Sequence, residues 1–81
     1  MDEAVNFIRL HISSLLKTHE VKAKMEEIGG KWELHAVNHI HSMPKNIEFS
    51  VILWNGTTCL FVAAKINRQT ARLSNITVEE R

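Results

Sequence analysis

Among the 81 residues there is one cysteine, one proline and three glycines, and tyrosine is missing altogether. A single thiol, Cys59, excludes an internal disulfide framework and every cysteine-rich zinc module. So little proline and glycine, with no low-complexity run, argues against a linker or a disordered chain. Ten Lys+Arg against nine Asp+Glu leave a net charge of +1. That balance lacks the basic excess by which sequence-blind phosphate binders hold nucleic acid. No apolar run approaches the roughly 20 residues of a membrane span, and the opening MDEAVNFIRL is acidic where a secretory signal is basic. The expectation is an intracellular chain, cytoplasmic or nuclear, with no membrane partner.

Catalytic signatures are equally scarce. There is no GxSxG, P-loop or GxGxxG. Ser13 and Ser14 fall inside a helical pattern without a neighbouring acid–base pair. Cys59 falls in a strand pattern, away from any helix N-terminus that could activate it. A chain of 9.3 kDa also has little core to spend on a deep pocket, since it buries only about 60–65% of its unfolded surface. These features predict one domain over 1–81 that binds rather than catalyses and needs no cofactor.

What is present is a change of period along the chain. On a helical wheel Ala4, Val5, Ile8, Ile12, Leu15 and Leu16 gather within about a third of the circumference, behind Asp2 as an N-cap. Phe7 and Leu10 lie on another side, and Val21, Met25 and Ile28 continue that second side. Such a switch predicts a break near Lys17–His19, with one long two-striped helix as the alternative. Gly29–Gly30 closes the helical zone.

From Lys31 the period is two. Even residues from Trp32 to Ile40 form one face of a first strand, and Ser42–Lys45 is turn material. Ile47, Phe49, Val51 and Leu53 alternate along a second strand, and Thr57–Ile66 returns after Asn55-Gly56. A two-residue turn pairs Val51 with Leu60 and Phe49 with Val62. The fold class is therefore α+β. An N-terminal helix or helix pair packs on a three-stranded antiparallel meander over 31–66. Residues 67–81 add a short helix or an edge strand with a bulge, the helix being preferred, and Glu79–Arg81 fray.

The second face of this sheet is too apolar for water. Val37, Ile52, Trp54, Cys59, Phe61 and Ala63 form a patch of a few hundred Å², and covering about 300 Å² is worth roughly 7 kcal/mol before ordering costs. Either the tail folds over it or a partner does. The functional reading is a protein-interaction module, homodimeric or binding another protein, with Trp54, Ile52, Phe61 and Val37 as its contacts. His39 joins them as a possible charge partner of Glu48.

Two further constellations compete. His35, His39 and His41 share a strand face, with His39 and His41 about 7 Å apart on one side; such a pair can chelate zinc, but no cysteine or HExxH joins it and the expectation is no metal. Lys65, Arg68 and Arg72 cluster at the start of the tail. If the tail is helical, Arg68 and Arg72 share one face and could grip RNA phosphates. The resulting helix–three strands–helix order is similar to that of double-stranded-RNA-binding domains, but the tail lacks their dense lysines. The hairpin FSVILWNGTTCLFVAAKI resembles the strand pairs of dynein-light-chain-like adaptors. That resemblance implies that a helix plus a meander can act as a dimeric adaptor.

Overall fold

A computed structural model of the chain describes residues 3–81, so the Asp2 cap falls outside the described residues. Three helical segments come first: α1 (Glu3–Leu10), α2 (Ile12–Leu16) and α3 (His19–Ile28). The break between α2 and α3 is at Thr18, which is extended, at φ −65° and ψ 149°. Its hydroxyl donates to the Leu15 carbonyl at 2.6 Å, and its carbonyl accepts from the Lys22 N–H at 2.9 Å. A second break, at His11, has no counterpart in the apolar spacing. There the ring Nδ1 donates to the Phe7 carbonyl at 3.0 Å, taking the acceptor that His11's own backbone N–H needs. That N–H bonds Ile8 instead, also at 3.0 Å, and the helix kinks. Gly29 ends α3 at φ +87°, a conformation few other residues accept.

Four strands follow: β1 (Glu33–Ser42), β2 (Asn46–Trp54), β3 (Cys59–Asn67) and β4 (Leu73–Glu80). They pair antiparallel in the order β1-β2-β3-β4. The sheet thus has four strands rather than the expected three, and the tail is an edge strand rather than a helix. Asn67 directs this outcome. Its Oδ1 accepts the N–H groups of Gln69 and Thr70 at 2.8 and 2.9 Å, and its own N–H reaches the Arg72 carbonyl at 2.9 Å. The chain therefore reverses over 67–72 instead of winding on. The helix–strands–helix order shared with double-stranded-RNA-binding domains is accordingly absent, because the helices are all N-terminal.

Register departs from expectation in two ways. Asn55 uses its Oδ1 to accept the Thr57 and Thr58 N–H groups at 2.9 and 2.7 Å, which widens the turn to four residues. Val51 then faces Val62, and Phe49 faces Ala64, two residues away from the tight-turn register. An even slip keeps every side chain on its face, so core still meets core. In β1, by contrast, irregularities at Leu34/Ala36 and Asn38/His41 each insert an extra residue. The first of them turns Val37 inward to Val51 and sends Ala36 and Asn38 outward, opposite Ile52 and Ser50.

The inner face carries the core. Ile47, Val51, Leu53, Leu60, Val62 and Ile66 are each 0% exposed and share one cluster with Ala4, Ile8, Leu15 and Val21 of the helices. Trp32, Leu34, Val37 and Ile40 pack at its margin, as do Leu73, Ile76 and Val78 of the tail strand. Lys24 pairs with Glu27 within α3, at 3.2 Å, and ties the helix to Glu80 of β4, at 3.6 Å. The hydrogen bond to Glu27 is the main reason its ammonium holds its proton above the usual lysine pKa.

Candidate functional site

With the helices gathered on one side, the other face of the sheet is built from four rows that run across all four strands. The first reads Glu33–Trp54–Cys59–Arg81; Arg81 joins through reciprocal backbone bonds with Cys59 of 2.9 and 3.2 Å. The second reads Ala36–Ile52–Phe61–Glu79, the third Asn38–Ser50–Ala63–Thr77, and the fourth His41–Glu48–Lys65–Ser74. One end of this face is therefore apolar and the other polar. Among the described residues, Ile52, Trp54, Cys59 and Phe61 stand outside the core cluster, half-buried only by their neighbours.

The tail does not fold over this patch. It extends the sheet sideways as β4, and only its last side chain returns, placing the Arg81 guanidinium 4.3 Å from the centroid of the Phe61 ring. Glu79, opposite Phe61, holds that guanidinium through bonds of 3.2 and 3.3 Å. The expected fraying of Glu79–Arg81 is thus not what the ladder shows: Glu79 and Glu80 are paired within β4, and Arg81 bonds Cys59. Ala36 and Arg81 belong to the face but were not legible as such, since their placement depends on a bulge and on a fourth strand, whereas Glu33 precedes the bulge and keeps the outer position its alternation gives it.

Of the contacts expected from sequence, Trp54, Ile52 and Phe61 come together on adjacent strands. Val37 does not join them, because the bulge in β1 packs it against the core. His39 reaches the face at the polar end, where φ is +52° and its Nδ1 lies 2.8 Å from the Ser50 hydroxyl. The expected partner Glu48 is instead opposite His41, with 3.8 Å between Nδ1 and Oε1. Both sheet edges bulge at the level of the Phe49–Ala64 pair, β1 at His39–Ile40 and β4 at Asn75–Ile76. A hollow of about 320 Å³ lies between them, bordered by His39, Glu48, Ser50, Lys65 and Asn75. Among the described residues no three His, Cys, Asp or Glu side chains converge as a metal site would require.

The basic cluster is dispersed. Lys65 lies on the outer face and Arg72 is exposed beyond the β3–β4 turn. Arg68 points back, its Nε donating to the Met43 carbonyl at 2.7 Å and its terminal nitrogen to the Ser42 hydroxyl. The single helical face that would have joined Arg68 to Arg72 is not formed, because that segment is a turn. Arg68 instead clasps the β1–β2 turn to the β3–β4 turn. No helix among the described residues is long and apolar enough to cross a membrane. No protein-family model, curated protein or solved structure matches this chain.

Proposed function

We propose that the protein is a non-enzymatic interaction module whose outer sheet face seats a second copy of the same chain. The observation that carries this reading is the apolar end of that face. Ile52, Trp54, Cys59 and Phe61 sit side by side on the two central strands, and the chain spends its fourth strand widening the sheet rather than covering them. Each of the four is only partly exposed, but a contiguous run of such side chains outside the core is costly to leave in water and commonly marks a contact. Pairing through a sheet edge is the weaker option. Both edge strands carry bulges, and bulges twist an edge away from continuous pairing with another strand.

The size of the face points to a weak, reversible contact. Four strands spaced about 4.8 Å apart and some seven residues of about 3.3 Å give a face of roughly 19 by 23 Å. That is at the small end for a specific interface and implies a dimer in the micromolar range. Light scattering after size exclusion, from about 5 to 500 μM, tests it, with absorbance recorded at 260 and 280 nm. The mass should climb toward twice 9.3 kDa as concentration rises. A mass fixed at one chain would overturn the reading, and a persistent excess at 260 nm would replace it with RNA binding through the Lys65 and Arg72 region.

A further inference from the structure

The charges around the patch decide how a second copy sits, an inference that rests on the reading above. The apolar row Glu33–Trp54–Cys59–Arg81 carries an acid at the β1 edge and a base at the β4 edge. The polar row carries Glu48 on β2 and Lys65 on β3, again an acid on one side of the sheet midline and a base on the other. Two faces can be related by a two-fold axis lying between them in either of two main orientations. An axis across the strands turns one copy end for end, so that Trp54 and Cys59 meet the row of Glu48 and Lys65, burying charge against apolar groups. An axis along the strands, between β2 and β3, keeps each row over itself and exchanges its two halves.

We infer that the second copy docks about an axis parallel to the strands, placing Glu33 of each copy against Arg81 of the other and Glu48 against Lys65. In that arrangement Ile52 lies over Phe61 and Trp54 over Cys59, so apolar groups meet apolar groups. No like charges are opposed, since Glu79 meets Ala36. Two sheets packed face to face sit about 10 Å apart with strands rotated by about 30°. The central rows therefore overlay well, and the long Arg81 and Glu33 side chains span the drift at the edges. Arg81 must leave the face of the Phe61 ring, where Ile52 of the second copy sits, and exchange its bond to Glu79 for one to the second copy's Glu33. Both Glu79 and Arg81 are more than half exposed, at 65% and 56%, which makes the present pair weak and the exchange easy.

Glu33 and Arg81 lie three strands apart within one chain, roughly 14 Å, so neither can compensate for the other except between copies. Charge reversal exploits this. The variants E33R and R81E should each dimerise at least tenfold more weakly than the parent, because each brings like charges together twice. Mixed in equal amounts they should form a heterodimer in preference to either homodimer, read by native mass spectrometry at low salt. Circular dichroism and melting of each variant alone confirm that the strand ends remain folded. A parent that dimerises while the mixture shows no heterodimer preference would overturn this axis and leave the interaction reading standing. A parent that stays monomeric throughout would overturn both.

Discussion

Ile52→Glu is expected to abolish self-association, raising the dissociation constant at least 100-fold, about 2.7 kcal/mol, while leaving the fold intact. Ile52 is half-buried on the outer face, between Ala36 of β1 and Phe61 of β3. A carboxylate there costs the isolated chain little, since water still reaches it. Between two copies it is an unpaired charge under an aromatic ring, and symmetry repeats the cost at Ile52 of the second copy. Losses of this size are ordinary at the centre of an interface. Equilibrium sedimentation of the variant gives the dissociation constant. A parallel measurement on Leu10→Glu serves as the control, because Leu10 is 78% exposed on α1, on the helical side of the sheet. The control should dimerise like the parent. Equal dimerisation of I52E and the parent would place the contact elsewhere.

The second large effect is one residue away and of a different kind. Leu53→Ala is expected to cost about 2–5 kcal/mol of folding stability, since Leu53 is 0% exposed between Leu34 and Leu60 in the core. A domain of this length has only about 4–12 kcal/mol in total, so the melting temperature should fall by roughly 10–30 °C. Ile52→Ala, on the opposite face, should lower it by only a few degrees when measured in dilute, monomeric solution. Urea titrations of the two variants side by side therefore test the facing of β2 directly. Similar losses for L53A and I52A would contradict the alternation on which the outer face depends.

How much of this was readable beforehand follows the physics of each element. The period-two pattern from Ile47 to Ile66 was legible because both central strands bury alternate residues, and an even register slip at the Asn55 turn could not disturb it. The turn differs from its local signal because Asn55-Gly56 suits two-residue hairpins, whereas here the Asn55 side chain accepts the Thr57 and Thr58 N–H groups and the loop is wider. Its amide also donates to the Gly29 carbonyl at 3.0 Å, a tertiary bond that no local pattern announces.

The edge strands were harder. An odd insertion flips every following side chain, and β1 hides one between Leu34 and Ala36, which is why Val37 read as an outer residue and Ala36 as an inner one. In β4 the bulge at Asn75–Ile76 breaks the spacing of Leu73, Ile76 and Val78, so the tail matched neither a helix nor a strand. The second β1 bulge, between Asn38 and His41, and the β4 bulge carry no glycine; His39 and Asn75 adopt positive φ there. The apolar centre of the site, Ile52, Trp54 and Phe61, was recoverable from the sequence because it rests on the regular strands. Its charged rim was recoverable only in part: Glu33 alternates onto the outer side of β1 ahead of the bulge, whereas Arg81 comes into line only once β4 has paired.

The most direct test of the central claim uses the chain's single thiol. Cys59 lies on the outer face, opposite Trp54 and beside Arg81. A bulky maleimide should therefore modify it readily in dilute solution and at least tenfold more slowly at concentrations where the mass doubles. The slow rate should return to the dilute value in I52E. If the chain dimerises yet Cys59 reacts at one rate across the whole concentration range, the two copies meet somewhere other than this face, and the account is wrong.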